Sequence, residues 1–187
     1  MMKSVGVDEA ALALSRDEVV AIPTETYYGL AAALRDEAIA RVLALKGRDA
    51  ARTLSILITP AMLPSLVAEI SPTAQALIAK HWPGPLTLAL PARAGLPAAL
   101  VQDGCVAVRV SPDATARAIV ERFGAPVTAT SANPGGQPPC RTAAEVHAYF
   151  PDLPIAGEGP TPGGAPSTLA RVRGDRIEVL RPGPIVL

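Results

Sequence analysis

Short runs of branched aliphatic residues alternate along this chain with stretches in which apolar residues recur every three or four positions. The first run, Val19-Val20-Ala21-Ile22, ends at Pro23, and it predicts a buried strand that delivers a loop at its end. Ala38, Val42 and Leu45 fall at helical spacing, which predicts a helix over 37–46 with Gly47 as its stop. Residues 54–58 return to strand. Helices are predicted over 60–69 and 72–80, and Trp82-Pro83-Gly84-Pro85 breaks the second ahead of an alternating strand at 86–90. A strand over 106–110, a helix over 114–123 ended by Gly124, and a strand over 127–130 running into Ser131-Ala132-Asn133 follow.

Residues 157–166 are dense in glycine and proline, yet two good strands, 167–172 and 176–180, come after them. The segment therefore reads as a surface loop inside the domain, of the kind that serves ligands. No internal repeat is visible. Alternating strands and helices predict an α/β (or α+β) domain with a mixed sheet, and 187 residues suit one domain, residues 1–187.

Composition narrows the function classes. With 49% hydrophobic and 18% charged residues the chain has ample material for a core and is far from the disordered class. Aromatics at 3% leave the core to Ala, Val, Leu and Ile, and supply few stacking platforms for single-stranded RNA. A formal charge of zero lacks the broad basic footprint of a dedicated nucleic-acid binder. Lysine occurs only at Lys3, Lys46 and Lys80, the other cations being arginines; the bias suits bidentate anion contacts, and a high-GC genome produces it equally well. Cys105 and Cys140 belong to no CxxC pair and no cluster with metal-ligand spacing, which argues against structural zinc and a disulfide framework. Residues 1–16 carry Asp8, Glu9 and no long apolar run, and no stretch approaches the roughly 20 apolar residues of a membrane span. A reduced, cytoplasmic protein with no membrane partner is expected.

Candidate chemistry gathers at element ends, where ligands of open α/β sheets bind. Thr24 to Thr26, Lys46 with Arg48, Ser131 with Asn133, and Ser167 with Arg181 all stand there. Each has a plain structural explanation too, because Thr and Ser beside proline or glycine make turns and caps. Lys46 and Arg48 would diverge by about 200 degrees on a continuous helix, but a helix ended at Gly47 lets them converge on a polyphosphate. The alternative is a solvated helix end favoured by the macrodipole. His81 and His147 read as ordinary residues.

These residues also form a series. Pro23-Thr24-Glu25-Thr26-Tyr27-Tyr28-Gly29-Leu30 resembles the PTETxYGL signature that opens the YrdC-like family, and Lys46-Gly47-Arg48 resembles its KxR element. Trp82-Pro83-Gly84-Pro85-Leu86-Thr87, Val106-Ala107-Val108-Arg109 and Thr130-Ser131-Ala132-Asn133 resemble its WPGPLT, VAVR and TSAN blocks. Pro166-Ser167-Thr168 and Leu180-Arg181-Pro182-Gly183 resemble its closing motifs, so the blocks run in order over residues 23–183. The chain departs from the pattern after KxR, with Asp49 where the family usually has proline and Arg52 at the next cation. Pro138-Pro139-Cys140-Arg141-Thr142 and the end at Leu187 resemble the short bacterial form of the family.

The resemblance implies a twisted mixed sheet flanked by helices, with a concave, positively lined groove. It further implies synthesis of threonylcarbamoyl-AMP from L-threonine, bicarbonate and ATP with release of diphosphate, the first step of a tRNA modification. By motif, Thr26, Arg109 and Ser167 would hold threonine; Arg48, Arg52, Ser131, Asn133 and Arg181 would hold ATP; and Lys46 and Arg48 would act in catalysis. Mg2+ would come bound to ATP, with no protein metal site. The product would pass to a tRNA threonylcarbamoyl transferase complex, and weak RNA binding is allowed for. The competing expectation is a double-stranded-RNA or ribosome-maturation module without turnover, which neutral charge and scarce aromatics disfavour.

Overall fold

The run at 19–22 is apolar at every position because it is covered on both sides. In the computed structural model, which describes residues 2–47 and 54–187, Val19 and Ala21 enter the larger of two hydrophobic cores, whereas Val20 and Ile22 point into the smaller.

In chain order, β1 (Ser4–Val5) and α1 (Val7–Ser15) lead into β2 (Val20–Ile22), β3 (Gly29–Ala31), α2 (Asp36–Lys46) and β4 (Ile56–Leu57). A 3-10 turn at Pro60–Met62 then runs into α3 (Leu63–Leu66), followed by α4 (Pro72–His81), β5 (Leu86–Pro91), β6 (Val101–Gln102) and β7 (Cys105–Arg109). The remainder is α5 (Ala114–Phe123), β8 (Val127–Thr128), β9 (Thr130–Ser131), α6 (Ala143–Tyr149), β10 (Ile155–Ala156), β11 (Thr168–Arg173) and β12 (Arg176–Arg181).

The expected mixed sheet is present as two. One has the order β1-β10-β2-β3-β9, parallel from β1 to β2 and antiparallel beyond. The other runs β12-β11-β5-β7-β4-β8, with β6 added beside β7. The larger core lies where both sheets contribute: Ala21 and Leu30 from the first, and Ile56, Leu88, Leu90, Val106 and Val108 from the second. The smaller core lies under α1 and α5, where Ala10, Ala13, Leu14, Ala116, Ile119 and Val120 meet Val20, Ile22 and Ala31. Both are built mainly from small and aliphatic side chains, with Tyr28 and Phe150 buried in the larger.

Several predicted elements shift for identifiable reasons. The strand expected at 127–130 is two strands in different sheets: β8 pairs β4, the chain turns through Ala129, and β9 pairs β3. At the crossing the amide of Thr128 donates to Ala32 O at 2.9 Å and that of Ala129 to Ser55 O at 2.7 Å. The helix expected over 60–69 stops at Leu66, because Val67 takes an extended conformation and bridges Ala92. Gly47 and Gly124 do end α2 and α5, in left-handed geometry with φ of 59° and 75°. Helices α1 and α6 were not foreseen: α1 buries mostly alanines, and α6 has seven residues, although its capping box of Thr142 and Glu145 is readable in the sequence. Among the described residues no helix is long and apolar enough to cross a membrane.

Candidate active site

A cavity of about 230 Å3 opens between the two sheets. From the first sheet and its loop come Thr24, Thr26, Tyr27, Tyr28, Gly29, Thr130 and Ser131; the other wall carries Ser55, Arg109, Ser167 and Arg181. Six of the residues singled out in the sequence, Thr24, Thr26, Arg109, Ser131, Ser167 and Arg181, thus line one space. A second cavity of about 370 Å3, over β5, β7, β11 and β12, adjoins it and shares Ser55 and Arg181.

The loop after β2 is tied by its own hydroxyls. Thr24 Oγ1 donates to Tyr27 O at 2.7 Å, lies 3.1 Å from Thr26 Oγ1 and accepts from the Thr26 amide at 3.2 Å. The glycine-rich segment after β10 packs against it, as a loop within the domain. Gly163 N donates to Thr26 O at 2.7 Å, the Tyr28 hydroxyl to Gly159 O at 3.1 Å, and the Tyr27 hydroxyl to Gly164 O. Burial pushes the Tyr28 phenol up, with the charge of Asp113 adding to it, so it donates as a neutral hydroxyl.

Lys46 and Asn133 complete the floor behind Ser131. Lys46, in the last turn of α2 and 3% exposed, donates through Nζ to Ser131 O at 2.7 Å and to Asn133 Oδ1 at 3.1 Å. The Ser131 hydroxyl also donates to Asn133 Oδ1, at 2.6 Å, and the Asn133 amide donates to Gln137 O at 2.7 Å and Pro134 O at 2.9 Å. Lysine and asparagine therefore hold the turn after β9 and present Ser131. Arg48 and Arg52 lie outside the described residues, and with them the expected convergence of Lys46 and Arg48.

Ser167, just ahead of β11, lies 2.8 Å from Thr87 Oγ1 through its own hydroxyl. Arg181, at the end of β12, donates to Ser167 O at 2.7 Å and to Ser167 Oγ at 3.0 Å. The Gly183 backbone comes so close that a Cβ there would stand 2.4 Å from both Pro166 O and Thr168 N, which only glycine permits. Burial holds the Arg181 guanidinium below the usual arginine range, and the neighbouring Arg109 charge lowers it further.

Arg109 is likewise enclosed, with its side chain 6% exposed. Its Nη1 donates to Glu25 Oε1 at 2.6 Å, and the second oxygen of Glu25 accepts from the Ser111 hydroxyl at 2.5 Å. Arg109 Nε is buried with no hydrogen-bond partner among the described residues. Burial pushes Arg109 down and Glu25 opposes the shift; arginine titrates so far above neutrality that it stays a cation. Glu25 and Ser111 were missed as site residues from the sequence. Glu25 lies within a quoted motif, but its partners are 84 and 86 residues away and leave no local signal.

The arrangement offers a desolvated guanidinium, a second arginine, and hydroxyls from the β2–β3 loop, β9 and the residues just ahead of β4 and β11, which suits a small substrate bearing a carboxylate and a hydroxyl beside a polyanion. Comparison with known proteins points the same way. The model of the Sua5/YciO/YrdC family, described as "Telomere recombination", matches residues 12–183. A Klebsiella pneumoniae protein named threonylcarbamoyl-AMP synthase is 37% identical over 168 residues, covering 87% of this chain and 88% of its own. A Bacillus subtilis protein of the same name is 37% identical over 186 residues, covering 96% of this chain and 54% of its own. The solved structure of P. abyssi Sua5 complexed with L-threonine superposes with a TM-score of 0.91 at 33% identity, covering 98% of this chain and 57% of that one. The chain thus spans little more than half the length of two of these relatives and most of the third. Matched from α1 to Gly183, the chain belongs to the Sua5/YciO/YrdC family.

Proposed function

We propose that the chain is a threonylcarbamoyl-AMP synthase: it joins L-threonine, bicarbonate and ATP, releases diphosphate, and so makes the activated group for a tRNA modification. The observation that carries this reading is the buried Arg109 with its unpartnered Nε at the floor of a hydroxyl-lined cavity. A substrate carboxylate would meet the Arg109 guanidinium where it lines the cavity, and the Thr24–Thr26 hydroxyl pair and Ser167 stand ready for a substrate hydroxyl. Relatives bearing the synthase name support this reading over an RNA-binding module.

In the proposed reaction the threonine amine, having lost a proton, adds to bicarbonate; water leaves and an N-carboxylate remains. A carboxylate oxygen then attacks the α-phosphorus of ATP while the bond to the bridging oxygen breaks and diphosphate departs. The nucleophile is already an anion, so positioning and charge neutralisation carry the rate and no serine–histidine pair is needed. Arg109 and Thr26 would fix threonine, and Ser131, Arg181 and Arg48 would hold the phosphates, with Lys46 and Asn133 setting Ser131. Among the described residues no group of three or more histidine, cysteine, aspartate or glutamate side chains gathers to hold a metal ion. Mg2+ would travel on the ATP phosphates, held by phosphate oxygens and water. A cytoplasmic location and hand-over of the product to a tRNA threonylcarbamoyl transferase complex belong to the same proposal.

The test is diphosphate release with threonine or bicarbonate left out in turn. Dependence on both is expected; release that persists without threonine overturns the reading.

A further inference from the structure

Beside the cavity stands an anion of the protein's own, Glu25, that competes for Arg109. Glu25 takes one corner of the guanidinium through Oε1, yet it does not form the two-bond fork that arginine and carboxylate prefer when both are free to align. The reason is on the other oxygen. Ser111 Oγ accepts from the Asp113 amide at 3.2 Å, which directs its own proton at Glu25 Oε2, 2.5 Å away. Ser111 is 3% exposed and precedes the Asp113 cap of α5, so the hydroxyl is fixed by the start of a helix. The outcome is a single-point pair at Nη1 that leaves the remainder of the guanidinium uncommitted to Glu25 where Arg109 lines the cavity.

We propose that Ser111 is a positioning residue that restrains Glu25 to one contact with Arg109, and thereby keeps the rest of the guanidinium open for the substrate carboxylate. Glu25 and the substrate share one cation. Before substrate binds, Glu25 supplies the counter-charge without which a desolvated guanidinium would be strongly destabilising. Because it holds only one corner, it need not be displaced when the second carboxylate arrives.

This inference rests on the reading that threonine is the substrate, and it predicts effects of opposite sign at two residues in contact. Ser111→Ala frees Glu25 to swing into the fork, so KM for threonine rises about tenfold, the loss of roughly one well-made hydrogen bond. KM for ATP and kcat at saturating threonine change less than twofold. Ser111→Thr, which keeps the hydroxyl, returns KM towards wild type. Glu25→Gln keeps an acceptor for Arg109 but removes the competing charge; threonine KM then stays level or falls, and threonine raises the melting temperature more than it does in wild type, because the substrate now brings the missing counter-charge. Glu25→Gln with Ser111→Ala lacks the tenfold rise, a coupling that independent roles would not give.

Kinetics and thermal shift on the full chain decide the matter. Unchanged threonine KM in Ser111→Ala, a matching rise in KM for ATP, or the same direction of change in Ser111→Ala and Glu25→Gln overturns the proposal. Should Ser111→Ala fail to fold, the larger threonine-induced stabilisation of Glu25→Gln remains required. A wild-type protein that neither binds nor consumes threonine would instead sink the functional reading itself, so the two failures are separable.

Discussion

Arg109 carries its charge to a place with little water, and Glu25 makes that position tolerable. Removing the arginine outright would strand a carboxylate, so the informative change is the one that keeps the charge and loses the shape. Lysine has no counterpart of Nε and no planar fork. Arg109→Lys should therefore fold, keep a pair with Glu25, and raise threonine KM by roughly tenfold to a hundredfold, in line with hydrogen bonds to charged groups. Measuring KM for threonine and for ATP together checks this, because the ATP value should move far less. Thr26, Ser131, Ser167 and Arg181 were legible in the sequence because each polar residue stands where an apolar run stops. Glu25 and Ser111 were not, since what defines them is a meeting of two loops on different sheets rather than any spacing along the chain.

Among the helices, the capping chemistry is explicit. Asp113 Oδ1 accepts from the Ala116 amide at 2.9 Å at the start of α5, and at α6 Thr142 and Glu145 cap one another's backbone. Backbone donors from Arg141 and Thr142 hold the Glu145 carboxyl below its ordinary value. A carboxyl with a depressed native pKa adds stability above its unfolded pKa, near 4.3, and loses it as pH falls through the native value. The melting temperature of wild type should thus exceed that of Glu145→Gln at neutral pH, with the gap closing below about pH 4. Because Glu145 is exposed, solvent keeps the effect to a fraction of a kcal/mol up to about 1 kcal/mol; a gap that is constant with pH would contradict the cap. Helices with a clear apolar stripe and a glycine stop, such as α2 and α5, could be read from sequence. The alanine-rich α1 was harder to read, since small side chains give a weak periodic signal.

What the sequence could not convey is how the strands divide. Residues 127–131 look like one strand and a loop, yet Thr128 belongs to one sheet and Thr130 to the other. The period-2 pattern reports that a residue is covered, not by which sheet. That crossing at Ala129 also has a mechanical meaning. The segment is the stitch at a seam, and the cavity straddles the same seam, so a ligand spanning Ser131 and Arg109 acts as a rivet across it. Neither sheet can peel away while both fastenings hold. Threonine and ATP together should therefore slow amide exchange at Thr128 and Ala129 and lengthen survival under protease by more than the sum of their separate effects; purely additive protection would mean that the seam is already closed without them. If the chain makes the hydrolysable mixed anhydride proposed above, it would be hardest to open at the moment that product is most at risk.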